Sequence, residues 1–270
     1  MKILRLCVLS LFIVVLIISV IFHFQQMRVD KTVPTITVEG DVLEVSLDVT
    51  NEELLKGVSA HDEKDGDISD KVIVESISRF TSPGVSLVRY AVCDNDNHVA
   101  FATRTIIYSN YTAPRFNLTD SLVFSISQNI NIRDILGAVD SIDGDISDKV
   151  IITANDYTAN IPGVYYISAK VANSKGDIIT HQFPVYVEER SLSAPQIELE
   201  KYIAYLEVGE DFDIEGNILS ALGTGGENLL EQINIDTNFN PQEAGVYEAH
   251  YRVTDSAGRV GHKIVFLFVE

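Results

Sequence analysis

The chain has 270 residues, too many for one ordinary β-sandwich and about right for a short anchor followed by two or three small domains. Its 39 acidic side chains outnumber 20 basic ones, for a formal net charge of −19. Such a surface repels phosphate backbones and anionic headgroups, which argues against nucleic acid and leaves divalent cations and basic proteins as electrostatically allowed partners.

The first element is an uncharged apolar run from Leu6 to Phe24, with Lys2 and Arg5 before it and Arg28 after it. About 19 such residues at 1.5 Å each approach the roughly 30 Å hydrocarbon core of a bilayer. Cations ahead of the run and carboxylates behind it place the N-terminus in the cytoplasm and the body outside. A cleaved signal peptide would want small residues where His23, Phe24, Gln25, Gln26 and Met27 stand, so residues 1–29 read as an uncleaved transmembrane signal-anchor. Cys7 lies within this leader and Cys93 in an expected strand, so they fall on opposite sides of the membrane and form no disulfide framework.

After the leader the sequence repeats itself. Pro34, Pro114 and Pro195 each open an alternating apolar stretch, at a spacing of about 80 residues that is a domain period rather than a solenoid period. Asp65-Gly-Asp-Ile-Ser-Asp-Lys-Val72 returns letter for letter as Asp143 to Val150. A third marker begins at Gly84, Gly163 and Gly245, and the markers keep one order.

Period-2 reading of that marker puts Ser86, Val88, Tyr90 and Val92 on one face, matched by Tyr165, Ile167, Ala169 and Val171, then by Tyr247, Ala249, Tyr251 and Val253. Arg89, Lys170, Glu248, His250 and Arg252 fall on the other face. This is the pattern of a half-buried antiparallel strand. Each such strand ends in a polar turn, where Asn97, Gly176 and Gly258 align at a position that suits positive φ. The closing strands are expected over 101–108, 178–187 and 263–269. Asn51 to Lys56 reads as one turn of helix or a loop.

The expected fold is therefore all-β: three tandem immunoglobulin-like antiparallel β-sandwiches, each with its own core, behind one N-terminal transmembrane helix. The expected boundaries are 30–109, 110–190 and 191–270.

Taken together, the three markers resemble the bacterial immunoglobulin-like repeat of the pesticidal crystal protein type. The matching positions are Ala60, Asp62, Asp65, Gly66, Asp67, Ile68 and Ser69 in the first repeat, and Ala138, Asp140, Asp143, Gly144, Asp145, Ile146 and Ser147 in the second. The third departs from it, reading Ala221-Leu-Gly-Thr-Gly-Gly-Glu227, so whatever the acidic motif does is not expected of the third repeat. The resemblance implies an extracytoplasmic setting and no reaction, with such domains acting as spacers, stalks or adhesive modules.

The acidic clusters are the one candidate site. Asp62, Asp65 and Asp67, and likewise Asp140, Asp143 and Asp145, could supply oxygens to Ca²⁺, which takes six to eight of them. The competing and favoured reading is a tight turn, in which the carboxylates accept backbone N–H bonds and glycine supplies positive φ. Asp94 to Asn97 resembles the acidic linker of cadherins, but strand residues follow it, so it reads as a hairpin turn.

No catalytic constellation stands out. The histidines have no metal-ligand spacing, and His181, His250 and His262 read as solvated sheet residues. Gly223 to Gly226 lacks the lysine and helix of a phosphate loop. Trp is absent, which weakens a carbohydrate-binding reading, and Tyr166 is the exposed aromatic of interest. The sequence thus points to a non-enzymatic, membrane-anchored cell-surface protein with a protein or cell-envelope partner, the alternatives being a calcium-stiffened rod or an accessory subunit of an envelope enzyme.

Overall fold

Pro34, Pro114 and Pro195 are each buried one residue ahead of a strand, and each begins a pair of facing sheets. The computed structural model of the chain describes residues 2–27, 31–126, 128, 131–155, 158 and 160–270. It divides into two units, Met1–Asn110 and Tyr111–Glu270.

In the first unit, helix α1 spans Lys2–Met27. Its described side chains cover residues 10–22 and leave Leu11, Ile17 and Phe22 exposed. Among the described residues no helix is long and apolar enough to cross a membrane. The side chains at both ends of the expected span, Cys7 included, lie outside the described residues.

The body of this unit is built from β1 (Thr35–Val38), β2 (Val42–Val45), β3 (Val58–Asp62), β4 (Gly66–Asp67), β5 (Ile73–Ile77), β6 (Val85–Cys93) and β7 (Val99–Tyr108). One sheet runs β1-β3-β4 and the other β2-β7-β6-β5. All pairings are antiparallel except β2 with β7, which is parallel. Alternation does what it predicts: Ser86, Val88, Tyr90 and Val92 of β6 are buried, and Leu87, Arg89 and Cys93 face outward.

The segment 51–54 is helix α2 (Asn51–Leu54), started by a capping box between Thr50 and Glu53. It inserts Leu54 at 1% exposure, and the buried Tyr90 hydroxyl donates to the Leu54 carbonyl at 2.7 Å. Arg104 takes an inward position on β7 and donates to the carbonyls of Lys56 (3.0 Å) and Glu39 (2.6 Å), closing that end of the core.

The second unit repeats this strand order twice, the second time with a lone bridge between Leu222 and Asn228 in place of β4. Its first sandwich has β8 (Arg115–Leu118), β9 (Val123–Ser125), β10 (Leu136–Asp140), β11 (Gly144–Asp145), β12 (Ile151–Asn155), β13 (Gly163–Ala172) and β14 (Ile178–Glu188), in sheets β8-β10-β11 and β9-β14-β13-β12. Its second has β15 (Gln196–Leu199), β16 (Ile203–Leu206), β17 (Ile218–Leu222), β18 (Asn234–Thr237), β19 (Gly245–Thr254) and β20 (Val260–Val269), in sheets β15-β17 and β16-β20-β19-β18.

Three separate cores do not result. The inward face of β20, with Val265, Leu267 and Val269, fills its own sandwich. Its outward face, with Ile264, Phe266 and Phe268, joins the core of the neighbouring sandwich beside Phe116, Phe183 and Ala138. The Phe266 ring meets Phe183 edge-on at 5.6 Å, and Tyr205 stacks on Phe268 while its hydroxyl donates to the Phe116 carbonyl at 3.2 Å. The two sandwiches of this unit are therefore joined through an apolar seam, because β20 is apolar on both faces.

Candidate functional site

The repeated acidic motif folds the same way in both copies. Asp62, at the end of β3, is 2% exposed, and its Oδ2 accepts the backbone N–H groups of Lys64 (2.9 Å) and Asp65 (3.0 Å). Asp140 is 7% exposed, and its Oδ1 accepts from Ile142 and Asp143, both at 2.9 Å. Gly66 and Gly144 then take positive φ, +77° and +72°, with open space around them.

Asp67 Oδ1 accepts from the backbone of Ser69 (3.0 Å) and from its hydroxyl (2.6 Å); Asp145 accepts from Ser147 at the same two distances. These bonds hold both carboxyls below the ordinary aspartate value, the Ser69 and Ser147 hydroxyls contributing most.

The third aspartate reaches across to the hairpin of the opposite sheet. Asp65 Oδ2 accepts from the Asn95 backbone at 2.8 Å. Asp143 accepts from the Ser174 backbone (2.7 Å), the Ser174 hydroxyl (2.6 Å) and Lys149 Nζ (2.9 Å). Asp65 is held low chiefly by the Asn95 N–H and Asp143 chiefly by the Ser174 hydroxyl.

The hairpins are built alike. Asp94, Asn173 and Asp255, each 5% exposed, accept backbone N–H bonds from His98 (2.7 Å), Asp177 (2.9 Å) and Arg259 (2.9 Å). Asn97, Gly176 and Gly258 have φ of 71°, 87° and 74°, as their alignment predicts.

The third sandwich, without the acidic residues, builds part of this element. Ala221 and Leu229 occupy the places of Ala60 and Ile68, and the Leu229 N–H donates to the Ala221 carbonyl at 2.9 Å, as Ile68 does to Ala60 at 3.0 Å. Asn228 Oδ1 accepts from the Leu230 backbone at 3.0 Å, the role of Asp67 and Asp145, and a 3-10 turn follows at Leu230–Gln232 as at Ser69–Lys71 and Ser147–Lys149. A neutral amide thus makes the one backbone bond that Asp67 and Asp145 make elsewhere.

The structure therefore brings each set of three aspartates to one end of its sandwich with their oxygens turned toward N–H donors. Among the described residues no group of three or more His, Cys, Asp or Glu side chains is placed to hold a metal ion. One atom stands apart: Asp62 Oδ1 is buried without a hydrogen-bond partner, whereas the equivalent Asp140 carboxylate receives Asn173 Nδ2 at 3.1 Å.

Sequence reasoning missed the histidines of the second unit, which are not solvated. His262 is 1% exposed, His250 is half-buried, and His181 packs edge-on against Phe183 and Phe268 at 4.6 and 4.8 Å. Tyr166 is 46% exposed, as expected of its face.

The fold defines a protein of β-sandwiches whose repeated acidic motif is a backbone-organising turn. No family model matches the chain. It is 32% identical over 139 residues to the pesticidal crystal protein Cry22Aa of Bacillus thuringiensis, covering 50% of this chain and 18% of that protein. It is 26% identical over 183 residues to an 81.3 kDa protein of Acholeplasma phage L2, covering 66% of this chain and 24% of the relative. The chain thus spans less than a quarter of the length of either relative.

Among solved structures, the M60 catalytic domain with CBM51-1 and CBM51-2 of Clostridium perfringens ZmpB matches at TM-score 0.26 and 15% identity, over 87% of this chain and 30% of that one. Drosophila N-cadherin EC1-3 matches at TM-score 0.32 and 11% identity, over 86% and 98%. At these scores the likeness carries no functional argument.

Proposed function

We propose that the chain is a non-enzymatic surface protein: immunoglobulin-like repeats over 30–109, 110–190 and 191–270, tethered through residues 1–29 to the outer side of a cytoplasmic membrane, act as a stalk or adhesive module for a protein or cell-envelope partner. The observation that supports it best is Asn228. An amide standing in the backbone-accepting position of Asp67 and Asp145 supports a turn-building role for that position. The outer face of β6 and β7 offers a surface for a partner, with Leu87 and Phe101 exposed and the Arg89 guanidinium 4.0 Å over the Phe101 ring.

Crosslinking on intact cells followed by identification of the attached species tests this reading. A reproducible surface or envelope adduct supports it, and turnover of an envelope glycan, peptide or ester by the purified chain overturns it.

The orphaned Asp62 Oδ1 favours a second reading for the first sandwich alone, in which a calcium ion takes that oxygen. A ligand present at 100 times its Kd adds about 2.7 kcal/mol. Melting that is unchanged between millimolar Ca²⁺ and chelator ends that reading.

A further inference from the structure

Each sandwich of the second unit borders its larger sheet with a short strand that pairs in parallel with the closing strand: β9 with β14, and β16 with β20. An edge strand gives every second residue to its neighbour and turns the N–H and C=O groups of the others away from the sheet. At β9 the Tyr186 N–H donates to the Leu122 carbonyl and the Ile126 N–H to the Glu188 carbonyl, so Val123 and Ser125 face away. At β16 the Phe266 N–H donates to the Tyr202 carbonyl and the Glu270 N–H to the Leu206 carbonyl, so Ile203 and Tyr205 face away.

The two edges are finished differently. Side chains cap β9: the Val123 carbonyl accepts from the Arg190 guanidinium at 3.5 Å, and the Ser125 N–H donates to Gln128 Oε1 at 3.0 Å. Among the described residues the main-chain groups of Ile203 and Tyr205 have no such cap. Their strand opens instead on a cleft of about 590 Å³, lined by all four residues of β16 and by Phe212. Successive side chains of a strand point to opposite faces, so a hollow that touches four in a row runs along the edge itself.

The cleft is acidic. Glu200, Glu210, Asp211 and Asp213 line it, and all four are exposed. Among the described residues none of them forms an ion pair. Lys201 offsets one charge, and Arg115 is already bonded to Glu270 at 2.7 Å. Asp211 and Asp213 accept the backbone N–H groups of Phe212 (3.0 Å) and Gly216 (2.8 Å), which holds both carboxylates in place at the cleft.

These features select an occupant. An unpaired edge takes main chain, and an extended segment presents main chain along the whole strand. Four carboxylates select lysine or arginine side chains, while the net charge of −19 disfavours a second copy of the chain. We propose that the free edge of β16 docks an extended, basic segment of a partner protein, which adds a strand to the sheet and sets its cations among Glu200, Glu210, Asp211 and Asp213. The adhesive reading above supplies the premise that a protein partner exists, and the edge of β16 gives that partner its chemistry.

Fluorescence anisotropy of the full chain with a labelled peptide of alternating valine and lysine tests the proposal. The lysine peptide is expected to bind at least about tenfold more tightly than its glutamate counterpart. General attraction to an acidic chain would also favour lysine, so main-chain pairing is measured separately. N-methylation of alternate peptide amides, tried on each of the two sets, is expected to weaken binding about tenfold for one set and to leave the other nearly unchanged, because only one set faces β16. Hydrogen exchange at the Ile203 and Tyr205 amides is expected to slow at least about tenfold at saturating peptide, with no change at the capped Ser125 amide. Asp211→Asn combined with Asp213→Asn keeps both acceptor oxygens and is expected to weaken the lysine peptide by about threefold or more. Failure of the lysine peptide to bind at millimolar concentration, equal effects of the two N-methylated sets, or unchanged exchange at Ile203 and Tyr205 overturns the proposal. None of these results bears on the crosslinking of intact cells, so the docking edge and the surface role fail separately.

Discussion

Phe266→Ala tests the shared core of the second unit. Phe266 lies on the face of β20 that points away from its own sandwich, yet it is 0% exposed and packs against Phe183 of the next. Truncating a buried phenylalanine costs about 3–5 kcal/mol, because the lost transfer free energy is joined by a cavity that rigid sheets close poorly. For a unit of this size each kcal/mol moves the melting temperature by about 2–4 °C, so calorimetry of the full chain is expected to show a drop on the order of 6–20 °C in one transition. Phe101→Ala supplies the contrast, since Phe101 occupies an outward position on β7 and is 49% exposed. Its effect is expected within about 1 kcal/mol. Equal shifts for the two variants would refute the shared core, because an outward residue would then count for nothing more in β20 than in β7.

Other consequences follow from the turns. Asp140→Ala removes the acceptor for two backbone N–H groups and leaves the Asn173 amide with Tyr111 alone, and is expected to cost about 2–4 kcal/mol by denaturant titration; a loss below about 1 kcal/mol would show that the turn forms without its carboxylate. Gly176→Ala places a Cβ at φ of 87° and is expected to destabilise by about 1 kcal/mol in the same assay, with no loss counting against the hairpin assignment. Asp65, Asp67, Asp143 and Asp145 all titrate below the unfolded aspartate value. Their contribution is therefore present above about pH 3.9 and is lost as pH falls through their folded values. Melting temperatures that stay level between about pH 5 and 2.5 would contradict this.

Much of the fold is legible in the residues. Ser86, Val88, Tyr90 and Val92 declare their face by alternation, and Asn97, Gly176 and Gly258 declare the hairpins by their alignment. The turn in the third sandwich hides because Asn228 replaces aspartate within a glycine-rich stretch, and the decisive signal is the spacing from Ala221 to Leu229, which repeats that from Ala60 to Ile68. The shared core was also readable: residues 264–269 form an unbroken apolar run, whereas 101–108 is interrupted by Thr103, Arg104 and Thr105, and an unbroken run marks a strand buried on both faces. The burial of His262 and His250 leaves no such trace. Nothing in the spacing of Tyr186, Glu188, Glu248, His250 and His262 shows that β14 meets β19 and β20.

Cys93 provides the most direct test that the sandwiches lie outside the cell. It is free and exposed at the end of β6, within reach of a reagent in water. A membrane-impermeant maleimide applied to intact cells expressing the full chain is expected to label it as fully as in lysed cells, with Cys93→Ser abolishing the signal. Labelling that appears only after lysis would contradict the extracytoplasmic assignment and the surface role built on it.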